Sequence, residues 1–422
     1  MQAIEIEFPG QGRFTRDWLE THPDQAQVLL SRCKGRSPVC LCRTPGLPLY
    51  IALRSRYYLA RHPNSGPDHI PACPSYEPEA ALCGWGIYSS KALEHRGDGR
   101  VNLKLGVPLT IRGPATGPGP LIAPRAATPR LQRDTMQLRG LLHLLWERAE
   151  FNRWRPAMQG RRRYRQIYKY LLEAAEGISI RREVLTRYLY IPEPFDPTQR
   201  LEIEARRQRA FLERSESASG IPMRILVVGQ VRAILQREDG IEGLGLAHLP
   251  RELVLRAPRG LLDRLRQETE FAWIDWPVLH MEFRLITLLT MQRARQGHWS
   301  VGDLASMVTT EHYIPVCSME EALVAKRLVL EDRQFYKPLS YDALETRLPN
   351  FLLVDRTDLP MPLEILGRSE AEAAVRQMRI EQYRQAGRPF WVWDAQDTAT
   401  PPPLEIGDDS TLKSSAPTST AA

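Results

Sequence analysis

Residues 348–395 read "LPNFLLVDRTDLPMPLEILGRSEAEAAVRQMRIEQYRQAGRPFWVWDA". Two apolar runs, 348–355 and 360–367, are strand candidates separated by a charged, proline-containing connection. The span 369–387 has the length and spacing of a helix, and 389–395 is an aromatic strand candidate. Upstream, Ser318 with Glu321 three residues on forms a capping box that opens a helix over 318–333, and 334–341 supplies another strand. The order is helix, three strands, helix, strand, an α/β domain over 309–396.

Working back from this stretch, 221–308 is an α/β segment. It has strand-like runs at 222–236, 244–258 and 280–292 and a helix over 259–271. The span 133–218 is a basic helical domain, with helices predicted over 136–154, 161–177 and 180–192 and a charged helix over 198–220. Three short helices and a possible strand at 187–192 fit a winged-helix module or a plain bundle equally well. Residues 116–132 form a Pro/Gly linker. Residues 1–115 read as a β-rich module with strand candidates at 5–8, 47–53, 56–62 and 101–113. The tail, 397–422, has too little apolar surface to fold and reads as disordered. The fold class is α+β and multidomain.

The chain has 422 residues, 57 Lys and Arg against 50 Asp and Glu, and a net charge of +7. That balance, with pI ≈ 9.1, suits a polyanionic partner. Arginines and aromatics crowd together in "RAEFNRWRPAMQGRRRYRQIYKYL", residues 148–171. Arg153, Arg155, Arg161, Arg162, Arg163 and Arg165 are candidate phosphate contacts, with a solvated helix face as the plain alternative. No window is an uncharged apolar run of membrane-spanning length, and the N-terminus lacks a secretory pattern. The expected setting is cytoplasmic, where thiols stay reduced. No phosphate-binding glycine loop and no Ser/His/Asp order stands out.

Four of the six cysteines fall within residues 33–73, three of them in "VCLCRTPGLPLY" and "SGPDHIPACPSYEP". On an extended strand the side chains at i and i+2 point the same way, so Cys40 and Cys42 can face one ion. A hairpin from 47–53 to 56–62, followed by a turn through Pro63, Gly66 and Pro67, would return the chain with His69 and Cys73. Three thiolates and an imidazole fill a tetrahedral shell, the make-up of a closed structural Zn²⁺ site. Cys33 and His62 are alternative ligands; Cys83 and Cys317 read as buried small apolar residues.

The run from Cys40 through "HIPACPSYEP", with "LHLLWERAEFNRWRPAMQGRR" and "YIPEPF", resembles the bacterial family called domain of unknown function 1173. The resemblance covers nearly all of the ordered chain. It implies an association with integrative elements and plasmids, which makes DNA the favoured partner, and it implies no activity.

The 309–396 layout is similar to the core of the PD-(D/E)XK nuclease superfamily, the restriction-endonuclease-like αβββαβ fold. In that pattern Asn350 stands where the first acid belongs. Glu364 stands at the second acid, and Leu366 occupies the lysine position. Glu320 or Glu321 would supply an acid from the first helix. Arg376 and Arg379 take the place of a lysine moved into the second helix. Two carboxylates would hold Mg²⁺ against the phosphate, and a lysine would activate water. Asparagine is a weaker ligand for a hard cation, and arginine is a poor base. Glu364, Asn350, Glu321 and Arg379 are therefore the candidate catalytic set of a degenerate site.

The expected protein is zinc-binding and nucleic-acid-associated, and binds DNA rather than cleaving it. The alternatives are a Mg²⁺-dependent nuclease with rearranged ligands and a scaffold whose basic helices dock an acidic protein partner. Neither membrane attachment nor a particular oligomeric state is indicated.

Overall fold

Ile6 and Phe8 alternate with Glu5 and Glu7, and the apolar pair is buried while the acids face out. This strand, β1 (Glu5–Phe8), turns through two left-handed glycines, Gly10 and Gly12, into β2 (Gly12–Thr15). The computed structural model describes residues 4–404 apart from 54–55, 63–64, 80–81, 97–98, 112–132, 218, 236–241, 277, 295–296, 344–347, 356–358 and 367–369. The 116–132 linker lies outside the described residues. Among those described, no helix is long and apolar enough to cross a membrane.

Helices α1 (Arg16–Thr21) and α2 (Pro23–Arg32) follow β2. From the sequence, only strands and turns are expected here. Thr15 caps the first helix through its hydroxyl, and Pro23 starts the second. Then come β3 (Val39–Cys40), β4 (Leu47–Leu53) and β5 (Tyr57–Arg61), in an antiparallel sheet of order β2-β1-β3-β4-β5. The predicted hairpin is β4–β5.

The middle of the chain is less helical than its sequence suggests. A four-stranded sheet joins β6 (Leu93–His95) and β7 (Val101–Leu103) to two later strands, β9 (Ile178–Ile180) and β10 (Glu183–Val184). Between them lie α3 (Leu138–Arg148), the short strand β8 (Arg153–Trp154) and α4 (Tyr164–Glu176). The helix expected over 180–192 is instead a hairpin, a 3-10 turn and β11 (Leu189–Tyr190). Arg181 and Arg182 both adopt positive φ and reverse the chain where Asn-Gly would be the usual signal. Helix α5 (Arg200–Ser215) forms as predicted.

Next, β12 (Ile225–Leu235), β13 (Glu242–Leu246) and β14 (Leu255–Ala257) lead into α6 (Arg259–Glu268). After the hairpin β15 (Trp273–Asp275) and β16 (Val278–Leu279) come β17 (Phe283–Arg293) and β18 (Trp299–Thr310). Residues 225–230 of β12 pair with β17, whereas 231–235 pair with β13 across a bulge. The ring closes as β12-β13-β14-β18-β17, with β14 and β18 parallel and α6 between its third and fourth strands. The five strands thus close a small barrel. Strand β18 had no counterpart in the sequence reading, because its Gly302, Asp303 and Ser306 interrupt the apolar run.

The C-terminal part has the predicted element order. Helix α7 (Met319–Leu330) precedes β19 (Phe335–Tyr336), β20 (Phe351–Leu353), β21 (Met361–Leu366), α8 (Glu370–Gln385) and β22 (Trp391–Asp394). The sheet order is β22-β21-β20-β19-β8, so the outer strand comes from the arginine-rich segment. The first residues of the expected disordered tail are packed down. Arg327 donates to the carbonyls of Pro401 and Pro402, Trp391 donates to Pro403, and Leu404 is buried. A proline run needs no internal hydrogen bonds, so its carbonyls are open to such donors.

Three cores hold these elements, and each draws on distant segments. Tyr336, Leu352 and Val354 complete the N-terminal core of Ile6, Phe8 and Leu49. Leu226 and Ile286 of the barrel pack with α3 and α4, and the opposite barrel face packs with α7 and the C-terminal sheet.

Candidate functional site

Cys40, Cys42, His69 and Cys73 converge with their ligand atoms all within 4.8 Å of one another. Cys40 ends β3, pinned on both sides by β1 and β4. Cys42 is not on that strand: it lies in the turn that follows, so the C-x-C pair meets by chain reversal rather than by strand alternation. Gly46 makes this turn possible, since a Cβ there would lie 2.4 Å from Val39. His69 follows a 3-10 turn, and Cys73 donates its amide to Ile70. Gly66 lets the return loop close against Glu77, where a Cβ would stand at 2.4 Å.

The geometry fits a metal ion. The Cys40 and Cys73 sulfurs are 3.6 Å apart. A tetrahedral ion with Zn–S bonds of about 2.3 Å sets its sulfurs about 3.8 Å apart, whereas a disulfide needs about 2.05 Å. The Nδ1 atom of His69 faces the cluster, 3.2 Å from Cys42 and 3.6 Å from Cys73. The amide of Ser75 donates to the Cys73 sulfur and so orients it. None of the six cysteines is in a disulfide. Shared protons push Cys42 well below the ordinary thiol range and Cys40 well above it. The four side chains could thus hold a metal ion, and their donor set is compatible with zinc. Cys33 is buried in the core beside them, and His62 packs against the Tyr50 ring; neither joins the cluster. Cys83 is buried as expected, whereas Cys317 is exposed just before the α7 cap.

Beside this module runs a cleft of about 960 Å³, lined by twelve arginines and a lysine against five glutamates. The six sequence-selected arginines all line it but divide into two groups. Arg153 donates to the carbonyls of Pro74 and Tyr76, clamping the loop that carries Cys73. Arg155 pairs with Glu20 at 3.4 Å. Arg162 donates to the carbonyls of Glu150, Phe151 and Arg153, and burial pulls its pKa down to about 9. These three hold the fold together. Arg161, Arg163 and Arg165 are exposed. At the floor, Glu147 accepts hydrogen bonds from Tyr336 and Tyr341 at 3.0 and 2.9 Å.

The four C-terminal candidates separate into two clusters. Glu321 accepts from Lys337 at 2.6 Å, from Asn350 at 2.8 Å and from the Cys317 amide at 2.7 Å. Burial opposes its ionisation, but Lys337 and these donors outweigh burial and hold its pKa below the usual range. Asn350 also accepts from the Ile365 amide. An aspartate at 350 would face Glu321 across the same short contact, which explains a neutral side chain here. With Arg376, these groups line a second cavity of about 740 Å³. Glu364 is fully buried and belongs to the other cluster. It is gripped by two Arg379 nitrogens at 2.9 and 2.6 Å and by the Tyr383 hydroxyl. Asp355 is held by Arg333 through both oxygens. Among the described residues no group of three acidic, His or Cys ligands forms around Glu321 or Glu364.

A family model described as "Protein of unknown function (DUF1173)" matches residues 17–396. The chain belongs to the DUF1173 family. No curated protein and no solved structure matches it.

In this DUF1173 chain the residue that sequence reasoning passed over is Lys337. The lysine was sought after Glu364 and in α8, yet it comes from the end of β19. The signal was present in "FYKPL", a lone lysine between aromatic and apolar neighbours, whose charge must find a partner once that run is buried.

Proposed function

We propose that this DUF1173 protein is a zinc-stabilised nucleic-acid-binding protein whose ligand lies in the arginine-lined cleft. Its nuclease-like C-terminal part, in this reading, serves binding rather than cleavage. The observation that carries the reading is the cleft, where Arg161, Arg163 and Arg165 stand exposed beside several other cationic side chains. Concave surfaces of one sign focus field lines and attract polyanions. Small five-stranded barrels elsewhere bind oligonucleotides, which supports a nucleic-acid ligand by analogy of fold, although the barrel strands do not line the cleft. The absence of cleavage rests on Glu364, whose carboxylate is already enclosed by Arg379 and Tyr383, and on Asn350, which is tied to Glu321.

In this reading Cys40, Cys42, His69 and Cys73 hold Zn²⁺ and shape one wall of the cleft through the Arg153 clamp. The testing experiment compares labelled DNA and RNA binding across salt with cleavage in Mg²⁺ and Mn²⁺, for wild type and Glu364→Ala. Salt-sensitive binding without cleavage is the expected result. Undetectable binding at low salt overturns the reading, and cleavage that vanishes in Glu364→Ala replaces it with an active nuclease.

A further inference from the structure

The cleft has a shape and a lining that say more than its charge. Duplex DNA is read by protein elements that protrude into a groove about 12 Å wide. Here the cations lie on the walls of a cavity, which can only receive a ligand that itself protrudes. Aromatic rings share those walls. Trp85 and Tyr170 are both half-buried there, Trp85 against His95 and Tyr170 beneath the Lys169 ammonium. Cationic walls with interleaved rings suit unpaired bases, since every base has a face that can stack while phosphates meet the cations. Glu147 lines the same cavity, and its oxygens, which accept from Tyr336 and Tyr341, keep lone pairs for the amino or imino hydrogens of a base, edges that pairing hides in a duplex.

Resting on the nucleic-acid reading above, we infer that the cleft takes a short single-stranded segment. In this arrangement Arg161, Arg163, Arg165 and Lys169 hold the phosphates, Trp85 and Tyr170 stack on bases, and Glu147 accepts from a base edge.

The test measures anisotropy of a labelled single-stranded oligonucleotide and of a hairpin duplex of equal length, using the full chain. The single strand is expected to bind at least about tenfold more tightly, and Trp85→Leu or Tyr170→Leu to weaken it about tenfold, a typical loss for one stacking ring. Arg165→Glu should also weaken it and flatten the salt dependence. A 2-aminopurine base in the oligonucleotide, quenched when stacked, reads ring contact in wild type should either leucine variant fail to fold. Equal or tighter duplex binding, or unquenched 2-aminopurine in the bound state, overturns this inference and leaves the nucleic-acid reading standing. No binding of either nucleic acid at low salt overturns both.

Discussion

His69 is fully buried, turns Nδ1 toward three thiols, and leaves Nε2 with no partner among the described residues. A buried imidazole is costly to place unless it is bonded, and an ion at the cluster would bond its Nδ1 and leave the proton on Nε2. The purified protein is expected to carry stoichiometric zinc by atomic absorption. Cys42→Ser should lose it and melt several degrees lower, whereas Cys33→Ser should retain it. These ligands were legible in the sequence because thiols and imidazoles at close spacing have few other uses in a reducing setting. Their means of meeting was not, because the Cys42 turn depends on Gly46 and backbone geometry. Glu147 was not legible at all, since its burial is created by Tyr336 and Tyr341, nearly two hundred positions away in the chain. Burial, helped by repulsion from Glu77, pushes its pKa up to about 7 against the hydrogen bonds of Tyr341 and Tyr336 and the charge of Arg153. Cys83 also faces this group. Because the folded value is raised, its contribution to stability is complete below the ordinary carboxylate range and is lost as pH rises toward 7. Glu147→Gln should flatten that decline, by roughly 1–2 kcal/mol allowing for its partial exposure. Melting curves of both proteins across acid to neutral pH provide the check.

Among the elements, α7, β19 and β20 meet through Glu321, Lys337 and Asn350. Removing one partner of a buried pair strands the other, at a cost of roughly 3–5 kcal/mol. Lys337→Met should therefore destabilise strongly in urea titrations, and adding Glu321→Gln should recover part of the loss. The docked tail gives a second expectation. Truncation after Gln396 removes Leu404 and the carbonyls that Arg327 and Trp391 engage, and should cost about 2 kcal/mol by burial alone. Element order over 318–394 was legible because each apolar run there keeps one period and is bounded by Pro, Gly or charge. The 180–192 hairpin was not, because Arg181 and Arg182 turn the chain with side chains that favour helices. The barrel escaped notice for a related reason: its closure lives in pairings between β12 and β17 that no local pattern encodes.

At the scale of the whole molecule, the predicted charge asymmetry becomes a cavity rather than a helix face. Four exposed cations, Arg161, Arg163, Arg165 and Lys169, meeting single-strand phosphates imply a slope of about −3 in log affinity against log salt. Titration of oligonucleotide binding across salt checks this, and a flat response would remove phosphate contact as the source of affinity. Half of the sequence-selected arginines fall outside that sum because backbone carbonyls hold Arg153 and Arg162 and the Glu20 carboxylate pairs with Arg155, a distinction composition cannot draw.

The strand Arg153–Trp154 has an inheritance of its own. It is encoded between two helices of the basic segment, yet it forms the outer edge of a sheet whose other four strands begin at Phe335. An exchange of genetic material that replaced the last quarter of the chain alone would set a new β19 against an old partner, with Trp154 on one side of the seam and Phe335 on the other. Such an exchange could succeed only if both pieces changed together. Descendants of this chain are therefore expected to inherit the basic segment and the C-terminal sheet as one unit, despite the barrel that lies between them in sequence.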